Sequence, residues 1–404
     1  MKGGRERVGH NCKGLLMRAR VYLRVALAAL CTPCSGLAQE ESPAKCARIA
    51  HTYSIVARDP HTGEIGVAVQ SHWFSVGPIV PWAEAGVGAV ATQSLVDPAY
   101  GPLGLAAMRL GKSAPDALRG LLAGDDGREV RQVAMIDAQG RVAAHTGSRC
   151  IAEAGHIVDE AGQFSVQANL MEKDTVWPAM ASAYREASAS AGPNPARQGP
   201  GARGIGPSPA RQGRGADGAD PNPARQGRGP TGGDGQPRPD LADRLLAALE
   251  AAEREGGDFR GRQSAALVIV RAQPTGKPWQ DRTFDLRVED HPDPVGELKR
   301  LVRIQRAYNH MNAGDLAIEH KDFEAANREY AAAAKLAPEI VELPFWQAVT
   351  LAANGRVEES LPIFRQVFAR EPKWADLVPR LVKAELLPAD QATVHRILAQ
   401  RSTE

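Results

Sequence analysis

The chain has 404 residues, 43% of them hydrophobic and 5% aromatic, with 49 Lys and Arg against 47 Asp and Glu for a formal net charge of +2. That length accommodates two domains with cores of their own, and the composition is ordinary for a soluble protein. The near-neutral balance excludes a global field pulling the chain toward nucleic acid or an acidic bilayer, so a partner must be recognised locally.

Arg18, Arg20 and Arg24 precede a short apolar run at residues 25–30, and Gly36-Leu37-Ala38 offers the small residues that a signal peptidase reads. Residues 1–38 are thus expected to be a secretory signal, with Met17 as an alternative start. They predict export to the periplasm or the exterior; an uncleaved anchor is the main alternative. The apolar run is too short to span a bilayer, so no membrane association is expected beyond this signal. Its removal takes Cys12, Cys31 and Cys34 and leaves Cys46 and Cys150. In an oxidising compartment these two are a candidate disulfide, and two separately buried thiols fit equally well. His51, His61, His72, His145 and His156 stand at no ligand spacing, so neither a metal nor a cofactor is expected.

After a leader at residues 39–51, the segment 52–71 reads as a β-hairpin. Tyr53, Ile55 and Ala57 alternate with Thr52, Ser54 and Val56, the turn signal Asp59-Pro60-His61-Thr62-Gly63 follows, and a β-rich run fills residues 65–69. Period two puts Thr52 and Ser54 on one face. Residues 87–93 predict a buried strand, 103–122 a helix, 130–145 two strands about a turn at 137–140, and 175–187 a second helix. Residues 191–239 hold only an imperfect Gly/Pro/Arg/Gln repeat, seen at 194–199, 208–213 and 222–227. This text cannot build a core and has no aromatic residue to stack on a base, so it predicts a passive disordered insert and no nucleic-acid arm. Helical text at 241–254 and a strand at 264–270 resume the same domain.

A different period governs the C-terminal part. Gly314 and Ala348, Ala326 and Ser360, Tyr330 and Phe364, and Pro338 and Pro372 are each 34 positions apart. This matches the tetratricopeptide repeat, in which small residues let paired helices approach and Pro ends the second helix. The expected organisation is a domain at 52–293, a connecting helix at 294–306, repeats at 307–390 and a tail at 391–404. A concave repeat face suits a peptide or protein partner, and packing or homo-oligomerisation serves as well.

The runs at 53–59, 66–71, 80–83, 86–93, 100–101, 261–265 and 290–292 together resemble the domain of unknown function 1028 family, placed in the N-terminal-nucleophile hydrolase superfamily. That resemblance implies an α+β fold, a four-layer αββα sandwich, followed here by the all-α repeat domain. It also implies that the nucleophile opens the first strand, which makes Thr52 the catalytic residue once the His51–Thr52 bond is cut. The α-amino group so released has a reference pKa of about 7.7–8.0 and can take the hydroxyl proton. By hairpin position Ser71 falls near the acidic residue of proteasome-like sites and Trp82 near their lysine, yet no Lys lies between Cys46 and Gly111. Arg58 is a poor substitute, because a guanidinium does not deprotonate. Ser54, Ser71, His72, Gln93, Asn169 and Gln263 are the candidates for holding substrate or an oxyanion.

Asp290-His291-Pro292-Asp293 reads instead as a capping turn. Gly86-Val87-Gly88-Ala89-Val90-Ala91 lacks the following helix that a dinucleotide fingerprint needs, and Gly111-Lys112-Ser113 lacks the first glycine of a phosphate loop. The expectation is an exported hydrolase of the amide bond of a small amide or peptide, with the repeats as a docking module. The alternative is a non-catalytic protein of the same fold that binds a peptide or cell-envelope partner.

Overall fold

The computed structural model describes residues 48–189 and 239–401, with side chains from His51 onward. The secretory signal, the leader as far as Ala47, all but the last residue of the insert, and residues 402–404 lie outside the described residues.

Alternation organises the first domain. Strand β2 (Thr52–Arg58) follows β1 (Arg48–Ala50) and sends Thr52, Ser54 and Val56 to one face and Tyr53, Ile55 and Ala57 to the other; all six are buried. A strand covered on both faces must lie inside a layered molecule. It pairs antiparallel with β3 (Ile65–Ser71) in a register running from Thr52 opposite Ser71 to Arg58 opposite Ile65. The turn between them is closed by Gly63 at φ 76° and by Asp59, whose carboxylate accepts from His61 N at 2.8 Å and from Arg244 at 2.6 Å.

Two antiparallel sheets result. The first has the order β11 (Arg282–Val288), β10 (Ser264–Val270), β3, β2, β9 (Phe164–Ala168), β8 (Gly155–Asp159). In the second, β5 (Gly88–Val96) pairs with β6 (Arg131–Asp137), which pairs with β7 (Val142–Thr146), while β1 and β4 (Pro81–Glu84) share the other edge of β5. Val56, Val67, Val69 and Val268 of the first sheet share a core with Ala89, Ala91, Ala134 and Ile136 of the second. Valines opposite alanines keep the facing side chains interdigitated.

The outer faces are covered by helices. Helices α1 (Tyr100–Arg109) and α2 (Ala114–Ala123) pack on Val90, Val133 and Met135 of the second sheet. Helices α3 (Val176–Ala189) and α4 (Leu241–Arg254) pack on Tyr53, Ile55, Val166 and Leu267 of the first. The helix expected over 103–122 is two, because Gly111 turns left-handed at φ 89° and Ser113 caps α2 by accepting from Asp116 N at 3.1 Å.

One helix of 26 residues, α5 (Pro294–Glu319), joins this domain to a C-terminal helical region. Its start is set by Asp293, which accepts from Gly296 N at 3.2 Å. Val295, Leu298 and Val302 belong to the core beneath the first sheet, and Ala307 belongs to the next one. The boundary expected at 306 therefore falls inside a continuous helix about 39 Å long. Arg306 pins it to the start of α4 through Asp240 at 2.6 Å and Asp243 at 2.9 Å.

Helices α6 (Phe323–Leu336), α7 (Glu342–Ala353) and α8 (Val357–Arg370) follow, then a 3₁₀ turn at Pro372–Leu377, α9 (Val378–Lys383) and α10 (Gln391–Leu398). Gly314 faces the Tyr330 ring so closely that a Cβ would lie 3.0 Å from it, and Ala326, Ala348, Ser360 and Phe364 are fully buried. Phe345 anchors the last core, with ring centroids 4.8 Å from Trp374 and 5.8 Å from Phe364. Phe345→Ala should cost about 3–5 kcal/mol, read as an early transition of this region in urea followed by circular dichroism; a melt identical to wild type would contradict that packing. No described helix is long and apolar enough to cross a membrane.

Candidate functional site

The chain passes from one sheet to the other through a single residue. Ala50 pairs with Ser94 in the second sheet and Thr52 pairs with Ser71 in the first, so His51 crosses the seam. At this end of the sandwich the inward positions change from apolar to polar. Thr52, Ser54, Ser71, Gln93, Gln132, Gln167 and Asn169 face one another there, every one at 0% exposure. Burial of so many polar groups is tolerable only if they are hydrogen-bonded.

The bonds form a connected network. Ser54 Oγ donates to Gln93 Oε1 at 2.7 Å, and Gln93 Nε2 donates to Gln132 Oε1 at 2.7 Å and to the Thr52 carbonyl at 3.0 Å. Asn169 Nδ2 also donates to Gln132 Oε1, at 2.9 Å, and Asn169 N meets the Thr52 carbonyl at 3.1 Å. Gln132 Nε2 reaches the Ala168 carbonyl at 2.8 Å and Thr146 Oγ1 at 2.9 Å, and that hydroxyl meets His156 Nδ1 at 2.8 Å. Gln167 Nε2 ties Ser54 Oγ to the Ala91 carbonyl.

Donors also converge on the bond ahead of Thr52. The His51 carbonyl accepts from Ser71 Oγ at 2.5 Å and from Arg260 Nη2 at 2.8 Å, while Thr52 Oγ1 donates to Ser71 Oγ at 3.2 Å. Arg260 is itself aimed by Asp258, a buried carboxylate that accepts from its Nε at 3.0 Å and its Nη2 at 2.7 Å, and from His72 N at 3.1 Å. Because this carbonyl meets a hydroxyl and a guanidinium, negative charge developing on its oxygen would be stabilised.

The His51 ring is held by Asn169, Nδ1 to Oδ1 at 2.8 Å. Burial lowers the His51 pKa from its ordinary 6.5, with Arg260 adding to the effect and the Asn169 bond opposing it; burial and His145 lower His156. A histidine whose folded pKa is depressed takes its proton later than in the unfolded chain, so its contribution to stability is lost as pH falls from 6.5 toward the folded value. Glu64 and Glu253, pushed up by burial, act in the opposite sense nearby. The direct readout is therefore the imidazole NMR titration, in which both rings should protonate below 6.5. A His51 midpoint at or above that value would contradict the geometry.

Of the residues singled out in the sequence, Thr52, Ser54, Ser71, Gln93 and Asn169 meet in the seam. The amide nitrogens of Gln93 and Asn169 are directed at the Thr52 carbonyl and at Gln132. His72 lies at the margin beside Gly261, and Gln263 accepts from His291 N at 2.8 Å through its backbone. Trp82 faces away from the seam, against α1. Cys150 is a free thiol donating to the Arg131 carbonyl at 3.3 Å, with its pKa raised by burial; Cys46, its candidate partner, lies outside the described residues.

Gln132 and Gln167 were missed, although each occupies an inward position of an alternating strand and could have been found by that period. Arg260 and Asp258 sit on a loop after α4, where no local pattern points to the seam. Among the described residues no group of three or more His, Cys, Asp or Glu is arranged to hold a metal ion.

A two-sheet domain with a polar seam at the start of its central strand, extended by a helical region, is the class these observations define. Residues 52–195 and 232–298, a little over half of the chain, match DUF1028, described as a family of unknown function, and the chain belongs to this family. It is similar to a solved structure entitled "Crystal structure of protein SPO2555 from Silicibacter pomeroyi, family-model DUF1028", at 26% identity over 63% of this chain and 88% of that one, with a TM-score of 0.44. A search of curated proteins found no match.

Proposed function

We propose that this protein is an exported N-terminal-nucleophile hydrolase that first cuts its own His51–Thr52 bond and then an amide bond of a small amide or peptide. The observation that carries this reading is the His51 carbonyl oxygen, held by Ser71 Oγ at 2.5 Å and Arg260 Nη2 at 2.8 Å beside the Thr52 hydroxyl. Two stacked sheets with helices on both outer faces support it, and we read them as the four-layer αββα sandwich of that superfamily. The helical pairs with their 34-residue period read as tetratricopeptide-like repeats, a docking module for a peptide or a second copy.

The hydroxyls line up as a relay. Thr52 Oγ1 attacks the His51 carbonyl carbon while its proton passes to Ser71 Oγ and the Ser71 proton passes to the carbonyl oxygen, with Arg260 balancing the charge. Collapse breaks the C–N bond, returns the proton to the Thr52 nitrogen and leaves an ester on Oγ1; water then hydrolyses it. This route uses no lysine. Afterward the Thr52 amine serves as base, and Arg260, which stays protonated, orients and stabilises.

Turnover of an amide panel by protein whose first residue is Thr52, lost in Thr52→Ala, is the expected outcome. The second reading is a binding protein, favoured by the complete burial of Thr52 in the intact chain. It requires no turnover and equal capture of a partner by wild type and Thr52→Ala.

A further inference from the structure

A second polar cluster lies on the opposite face of β2. Tyr53 points away from Thr52, into the helix layer, and its hydroxyl is buried without a hydrogen bond. Gln70, directly across from Tyr53 in the β2–β3 pair, is fully buried with both amide atoms unpartnered. Glu253 Oε1, near the end of α4, is a third such atom; the Tyr53 hydroxyl faces it as the donor of a weak contact outside normal hydrogen-bond limits, which leaves further lone pairs on both oxygens. Buried polar atoms are nearly always satisfied, so the two of these that reach a cavity, on Tyr53 and Glu253, point to a partner that completes them.

Tyr53 and Glu253 line a cavity of about 330 Å³, the size at which small-ligand sites begin. The rest of its wall is Glu172 and the loop 256–262, whose path is set by Gly256, Gly257 and Gly261 at φ 113°, 65° and 111°. Arg260 is committed to Asp258 and to the His51 carbonyl. Arg262, half exposed, comes only within 3.5 Å of Glu253 and 3.7 Å of Asp293. Glu253 Oε1 and the Tyr53 oxygen are thus left as buried acceptors, with Glu172 exposed beside them. An anion would meet acidic side chains here. A primary ammonium brings one positive charge and three donors to acceptors that lack them.

We propose that this cavity is a binding site for a small molecule bearing a primary ammonium group, held by Glu253 Oε1 and the Tyr53 oxygen, with Phe259 against its carbon chain. Phe259 lines the cavity and is 67% exposed, which leaves its ring free for such a contact. The site lies on the face of β2 opposite Thr52 and does not depend on cleavage at His51–Thr52, so Thr52→Ala should bind as wild type does.

Calorimetry on the full chain with n-butylamine, n-butanol and butyrate tests it. The amine should bind about tenfold or more tighter than either isostere, the effect of one charge-assisted hydrogen bond. Glu253→Gln should weaken the amine about tenfold, and Tyr53→Phe a few-fold. Tyr53→Phe should also melt close to wild type, because the hydroxyl it removes makes no hydrogen bond of normal geometry. Tighter binding of Nα-acetyl-lysine amide than of n-butylamine would assign the ammonium to a peptide lysine, and weaker binding to a free amine; both support the site. Equal binding of the three isosteres, or a Tyr53→Phe protein that binds the amine as wild type does, would overturn it.

Discussion

Thr52→Ala is expected to keep the His51–Thr52 bond intact, where the wild-type chain is expected to lose everything ahead of Thr52. The hydroxyl is the attacking atom of the proposed relay, and no other group can replace it from within the same residue. Ser71→Ala should arrest the cut as well, because Ser71 both receives the Thr52 proton and donates to the His51 carbonyl at 2.5 Å. Thr52→Ser keeps the hydroxyl and should still be processed. Thr52→Ala loses the bond to Ser71, and Ser71→Ala loses that bond and the one to the His51 carbonyl; at about 1 kcal/mol each, both variants should fold and the failure can be read as chemistry. Intact-mass measurement on protein from its native host decides. A wild-type chain that keeps the bond, or a Thr52→Ala chain cut at the same place, would remove Thr52 from its role.

Arg260→Met should slow the same cut by about 10²–10³, the usual effect of removing one donor from an oxyanion site. It should also destabilise the fold, since Asp258 would keep a buried carboxylate without its guanidinium. With Arg260 at 26% side-chain exposure and Asp258 at 0%, the cost falls on the order of 2–3 kcal/mol, between exposed pairs and fully buried ones. Asp258→Asn separates the two effects: it removes the charge but keeps an acceptor for Arg260, and should slow cleavage less than Arg260→Met. Arg260→Lys should rescue in part, since an ammonium cannot reach the Asp258 carboxylate and the His51 carbonyl with a planar fork. A mass time course that matches wild type in Arg260→Met would exclude the guanidinium from the step.

Much of the fold was legible because its signals are local. Period two between Thr52 and Arg58 marked a strand, Gly63 and Asp59 marked its turn, and the 34-residue spacing of Tyr330 and Phe364 marked paired helices whose small residues now lie buried. The short edge strands β1, β4 and β8 were not legible, because three to five residues carry too little pattern to outweigh a loop. The break at Gly111 was obscured by apolar spacing that continues across it.

The sequence by itself determined which residue types would face inward and where the strand at Thr52 opens, since both follow from alternation along one segment; that strand is the second, β2. Only the tertiary structure decided what those residues meet. Gln132 of the second sheet meets Asn169, the residue just past β9 of the first, and Arg260 reaches the His51 carbonyl from 209 positions away. Neither proximity has a local signature, because it is set by sheet stacking and by a glycine-shaped loop after α4. In the proposed route the positive charge beside the His51 carbonyl comes from Arg260, far along the chain, and not from a lysine of the hairpin.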